Sequence, residues 1–281
     1  MISFIKHFTT FFVLFVTVSA ISSAQSVSER YYFGEESGIE EEIPRFLDDF
    51  RHLISSPARI NQQSLNMLGS LSAATAAIMI GVDAPVYRSA QQDYRSPAFN
   101  VMTAPGRFYD VVDPSIFALG SSGLLIGSGY LFKDKKMAKT GWTAIEAVVF
   151  TQLATGFLKS AAGRERPFVE DGNMDFDLFD NDGNAQRSFP SGHTSKIFAL
   201  STVLASSYDS PWVRIPAYAL AASVALQRVE SGEHWVSDVV VGGTLGYVIG
   251  RTLAKQNGLV KSDSRVYPVY QGGMVGLNIR F

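Results

Sequence analysis

Residues 188–196, SFPSGHTSK, set a proline, two small residues and a histidine at the head of an apolar run that continues to residue 208. Serine ahead of such a run is a helix N-cap signal, so the stretch reads as a loop turning into a helix, with His193 at its start. Taken alone, a histidine there is either a satisfied core side chain or a group used for its near-neutral pKa. The rest of the chain has to decide between them.

Outward from 194–208, five more Ala-, Gly-, Ser- and Leu-rich stretches lie at about 64–81, 114–132, 140–160, 212–229 and 235–255. All six read as helices, which makes the protein all-α, a helical bundle of about six core helices. The C-terminal RVYPVYQGGMVGLNIRF reads as a small β-hairpin turning at Gln271, Gly272 and Gly273, with Val275, Leu277, Ile279 and Phe281 alternating on one face. A closing strand of an outer-membrane barrel is the other reading of that segment, but the helical middle leaves no room for about eight strands.

The chain divides into a leader at 1–24, a polar segment at 25–63, the helical domain at 64–256 and the hairpin tail at 257–281. In the leader, Lys6 and His7 precede an apolar run from Phe8 to Val18, and Ser22 and Ala24 fit the small-residue pattern of a signal peptide cut near Ala24. An uncleaved anchor helix is the alternative. Within 25–63, Phe46, Leu47, Phe50, Leu53 and Ile54 fall at helical spacing, as in a surface helix packed on the main body.

Several of the six helices approach the roughly 20 residues that a bilayer demands. Asn66, Glu146, Gln152, Gln227 and Asp238 interrupt their apolar faces, and mean hydropathy is only +0.10. If all six crossed, the lysines of KDKKMAK, 133–139, would place the preceding chain in the cytoplasm, whereas a cleaved signal peptide places it outside. An exported periplasmic or envelope-associated bundle avoids that conflict. An integral membrane protein with an external active site is the alternative. The absence of cysteine excludes disulfides and thiolate metal sites, and a formal net charge of -2 without a basic patch argues against a nucleic-acid partner.

Three clusters gather the acid, base and cationic residues: KSAAGRERP with Lys159 and Arg166, PSGH with Ser191, Gly192 and His193, and RVESGEHWVSD with Arg228, His234 and Asp238. Separately they read as a solvated helix end, an N-cap at Ser191 and a buried hydrogen-bonded histidine. Converged, Lys159, Arg166 and Arg228 supply positive charge suited to a tetrahedral oxyanion, and Ser191 and Gly192 add a hydroxyl and a closely approachable N–H at a helix start. On one helical turn Asp238 can hold Nδ1–H of His234 and leave Nε2 free to attack, while His193 protonates a leaving alkoxide. No metal or cofactor is required.

The order Lys-x6-Arg-Pro, Pro-Ser-Gly-His, Arg-x5-His-x3-Asp resembles the three-part signature of the type 2 phosphatidic acid phosphatase and vanadium haloperoxidase superfamily, over roughly residues 64–255. The resemblance implies that His234 is transiently phosphorylated with Asp238 behind it, that His193 is the general acid, and that Lys159, Arg166, Arg228, Ser191 and Gly192 bind phosphate. Gln227 departs from the serine common before the third-motif arginine.

A metal-independent phosphatase acting on phosphatidate-type lipid phosphate, polyprenyl diphosphate or a soluble phosphomonoester follows from that resemblance. A vanadate-dependent haloperoxidase and a non-catalytic exported anion-binding protein are the alternatives. The acidic loop 168–188, with Glu170, Asp171, Asp175, Asp177, Asp180 and Asp182, is expected to be solvated, with closure over the site or calcium binding as other uses. Oligomeric state stays open.

Overall fold

A computed structural model describes residues 39–55, 61–93, 96–170, 172–179, 183–260, 266–271 and 274–279. The expected leader, 1–24, lies outside the described residues, as do Asp171, Asp180 and Asp182 of the acidic loop, Gly272 and Gly273 of the hairpin turn, and Phe281. The described helices are α1 Ile39–Ser55, α2 Gln62–Gly81, α3 Asp83–Asp93, α4 Pro97–Val112, α5 Pro114–Leu131, α6 Lys135–Ala162, α7 Gly192–Ser207, α8 Pro211–Glu230 and α9 Val236–Gln256. Strands β1 Val266–Gln271 and β2 Met274–Ile279 pair antiparallel, with Val266 opposite Ile279 and Gln271 opposite Met274.

All six expected core helices are present, and α3 and α4 add two short ones between the first pair. Asp83, Arg88 and Asp93 break up the apolar pattern of α3, and Pro105, Arg107 and Asp110 break up that of α4. Of the lysines between the second and third expected helices, Lys135, Lys136 and Lys139 lie in the first turns of α6, where Asp134 caps the helix by accepting a hydrogen bond from the Met137 N–H at 2.9 Å. At 28 residues, α6 carries Lys159 to the opposite end of the bundle, about 40 Å away at 1.5 Å per residue. Gly163 closes it in the left-handed conformation at φ 55.

Helix α7 is the centre of the bundle, contacting α5, α6, α8 and α9. Ile197, Leu200 and Val203 are buried on it, together with Leu158 of α6, Val224 of α8 and Leu245, Ile249 and Leu253 of α9. Each such side chain stabilises the fold by about 1.5–3 kcal/mol relative to exposure. The α7–α9 interface is the most extensive, because Gly242, Gly246 and Gly250 of α9 lie against the backbone of Ser191, Ser195 and Ala199. A repeat of small residues four apart lets the two backbones touch, so the starts of α7 and α9 are held in fixed register.

Helix α1 docks through Phe46, whose ring centroid lies 4.9 Å from that of Phe150, while Leu47 and Ile54 stay exposed rather than packed as the spacing suggests. Among the described residues α2 is long and apolar enough to cross a membrane. The α4–α5 pair passes the same test jointly but bends by 89° at its break. The bend falls at Asp113, which holds φ 70 and caps α5 by accepting from the N–H groups of Ser115 and Ile116.

Candidate active site

The C-terminal end of α6, the start of α7 and the α8–α9 junction meet at one end of the bundle and bring all eight residues singled out in the sequence together. Ser191 N–H donates to the Asp238 carbonyl at 3.0 Å, tying the start of α7 to the first turn of α9. The Ser191 hydroxyl takes the N-cap role, accepting from Thr194 N–H at 3.4 Å and sharing a hydrogen bond with the Thr194 hydroxyl at 2.9 Å. Gly192 stands beside Lys159: a methyl placed on it would lie 3.6 Å from the Lys159 Cε. The first N–H groups of any helix lack intrahelical partners, so an anion can be held here.

The cationic side chains face this point. Lys159 is half-buried and donates to the Arg187 carbonyl; desolvation and the neighbouring Arg166 push its pKa down to about 7. Arg166 and Arg228 are both buried and share the Glu233 carboxylate, with Arg228 Nη2 at 3.3 Å from Oε2. A carboxylate between two guanidiniums occupies the kind of place a phosphoryl oxygen fills. Gln227, the departure from the family pattern, lies beside this set with Oε1 accepting from Arg228 Nη1 at 3.4 Å.

His234 is buried and precedes α9 instead of sharing a helical turn with Asp238, because Trp235 is the N-cap and Asp238 the third helical residue. Asp238 uses Oδ2 to accept from Trp235 N–H at 2.8 Å and from the Ser188 hydroxyl at 2.5 Å. His234 Nδ1 lies 3.7 Å from the same oxygen, so the carboxylate orients the ring from behind at more than hydrogen-bond length. Burial pushes the His234 pKa down to about 3 despite Asp238, which leaves the imidazole neutral near pH 7. Burial alone would raise Asp238, but the Arg164 guanidinium and the nearby His234 ring hold it well below the usual carboxylate range.

His193 Nε2 lies 3.0 Å from Asp110 Oδ1, and that oxygen also accepts from Arg228 Nη1 at 2.7 Å. Burial, then Arg228 and His234, push the His193 pKa down to about 2.

Sequence reasoning missed Asp83, Asp110, Arg164, Ser188 and Glu233. Arg164 was visible in KSAAGRERP, but the solvated helix end was one reading of that cluster; the structure overturns it, since Arg164 has 0% exposure and sits 5.2 Å from the Phe176 ring. Asp83 and Asp110 lie on helices the apolar search passed over, and no short-range pattern links them to residues more than 80 positions away. In the acidic loop, Glu165 N–H donates to the Asp175 carbonyl and Asp177 N–H to the Gly163 carbonyl, so its described part folds back on the end of α6. Among the described residues, no group of three His, Asp or Glu side chains could hold a metal ion.

Residues 140–259 match the model of the PAP2 superfamily. A lipid A 1-phosphatase of Porphyromonas gingivalis is 36% identical over 84 residues, which cover 29% of this chain and 19% of that protein. A lipid A 1-phosphatase of Rhizobium etli is 37% identical over 101 residues, 35% of this chain and 42% of that protein. The chain thus spans less than half the length of these curated relatives. The crystal structure of Aquifex aeolicus LpxE aligns with 62% of this chain and 96% of its own at 23% identity and a TM-score of 0.47. All eight of Lys159, Arg166, Ser191, Gly192, His193, Arg228, His234 and Asp238 lie within the stretch 140–259 that is similar to the PAP2 superfamily.

Proposed function

We propose that this protein is a phosphatase that removes a phosphate monoester from a lipid by way of a phosphohistidine at His234. The observation that carries the reading is the meeting of Lys159, Arg166 and Arg228 with two imidazoles at the start of α7. Three cations and a helix N-terminus neutralise a phosphoryl group and the further charge that develops on its equatorial oxygens.

The reaction divides between the two histidines. Nε2 of neutral His234 attacks phosphorus, the ester P–O bond breaks, and the departing alkoxide takes a proton from His193. Burial above all, then Arg228, keeps His193 neutral in the free site; the substrate's negative charge offsets the cations and, with Asp110 3.0 Å from Nε2, favours the protonated acid when the ester is bound. Water then attacks the phosphohistidine as His193 accepts its proton, releasing inorganic phosphate and restoring His234. Asp238 stabilises the positive charge on the ring during both steps.

A lipid is favoured by the surroundings of Asp110. Phe108, Val111 and Ile116, on the parts of α4 and α5 that flank the bend close to Asp110 in the chain, are 62%, 86% and 65% exposed and supply apolar surface there. The lipid A 1-phosphatase relatives are in keeping with this. An exported, envelope-associated location fits such a substrate.

The test is turnover of the full chain in detergent with EDTA present, using p-nitrophenyl phosphate and a lipid phosphate monoester beside His234→Ala. Phosphate release that resists EDTA, is lost in the variant and favours the lipid is expected. Release that survives His234→Ala contradicts the mechanism, and preference for the soluble ester contradicts the substrate.

A further inference from the structure

We propose that Asp83, on α3 and outside the family match, is a positioning residue that sets the charge available to His234 through Arg164. This rests on His234 being the nucleophile. Asp83, Arg164 and Asp238 all have side chains with 0% exposure. Arg164 Nη2 donates to Asp83 Oδ2 at 2.8 Å, and its Nη1 donates to Asp238 Oδ1 at 2.6 Å, so one guanidinium is divided between two carboxylates. Asp83 also accepts from the backbone N–H and hydroxyl of Ser237, at 2.8 Å and 2.6 Å, which fastens the first turn of α9.

Burial raises the Asp83 pKa, but Arg164 and the Ser237 hydroxyl oppose that rise; with both carboxylates ionised the buried group carries two negative charges and one positive while the imidazole is neutral. Burial favours a neutral total, because charges interact strongly where water is excluded. The missing positive charge is the one that nucleophilic attack places on the His234 ring. If Arg164 faced Asp238 alone, the pair would already be balanced and the phosphorylated imidazolium would arrive uncompensated. Asp83 draws part of the guanidinium away and leaves Asp238 free to stabilise that state.

The experiment compares wild type, Asp83→Asn and the double variant Asp83→Asn with Arg164→Met, by rapid-quench measurement of phosphoenzyme formation, inhibition by inorganic phosphate and thermal unfolding. Asp83→Asn removes the charge, balances the Arg164–Asp238 pair and slows phosphorylation by roughly 30–100-fold, a loss typical of a supporting partner. Phosphate inhibition stays unchanged, since Asp83 is not part of the cationic cradle. The double variant restores the charge count and regains at least about ten-fold over the single one, whereas a purely structural role makes it worse.

Wild-type phosphorylation rates in Asp83→Asn, or a double variant no faster than the single, overturn the proposal. If Asp83→Asn fails to fold, the double variant decides: a rate within about ten-fold of wild type supports it, and a loss as deep as His234→Ala overturns it. If wild type turns over without a phosphohistidine, the functional reading itself has failed instead.

Discussion

Gly242→Ala probes the contact that holds the two halves of the site together. A methyl at Gly242 would lie 2.5 Å from the Ser191 carbonyl oxygen and 3.2 Å from its nitrogen, against 3.4 Å for ordinary contact. The backbone beside Gly192 and His193 must therefore retreat by about 0.9 Å. Overpacking of this kind costs about 1–3 kcal/mol, and a shift near 1 Å at reacting groups costs on the order of 100-fold in rate. Gly243→Ala is the matched control: it gains the same helix propensity, but its methyl meets only the edge of the Phe198 ring at 3.4 Å. Thermal unfolding and steady-state turnover of the two purified variants give the comparison. Gly242→Ala should melt roughly 4–8 °C below Gly243→Ala and turn over about 100-fold more slowly. Equal melting and equal turnover would refute the idea that close α7–α9 contact sets the geometry.

Two further outcomes test other parts of the molecule. His193→Ala should lose far more activity on alkyl phosphates than on p-nitrophenyl phosphate, whose leaving group needs no proton; an equal loss on both would contradict the general-acid role. Far from the site, Asp49 of α1 is buried, and Asn257 Nδ2 donates to it at 3.2 Å and to Glu146 at 3.4 Å. Burial first, then the Glu146 charge, raise the Asp49 pKa to about 7. The folded protein thus keeps a proton that the unfolded chain releases near pH 4, so stability falls as pH rises from about 4 to about 7 and stays low above. Asp49→Asn should flatten this decline and raise the melting temperature at pH 8; a variant with the wild-type pH profile would show that Asp49 does not carry it.

The core helices were legible because each is a long stretch rich in Ala, Gly, Ser and Leu, and the three motifs because their spacings are local. His193 at a helix start followed from the serine and glycine before it. What local pattern could not supply is pairing across the chain. Arg164 looks like any charged residue after a helix until Asp83 and Asp238 close on it from opposite sides. Asp110 meets His193 from the last turns of α4, just before the chain turns by 89° into α5, and nothing local in the sequence pairs the two. The spacing of His234 and Asp238 suggested one helical turn, but the Trp235 cap starts the helix between them. Their relation is a carboxylate behind a ring on a loop, a geometry that the interval of four residues does not distinguish from a turn.

The central claim is a covalent bond between His234 and phosphorus. Rapid quenching of the full chain with a ³²P-labelled lipid phosphate, followed by peptide mapping, tests it directly. The account predicts an acid-labile, alkali-stable label on the peptide that contains His234, absent in His234→Ala. Steady turnover with no label, or a label on any other residue, would contradict it.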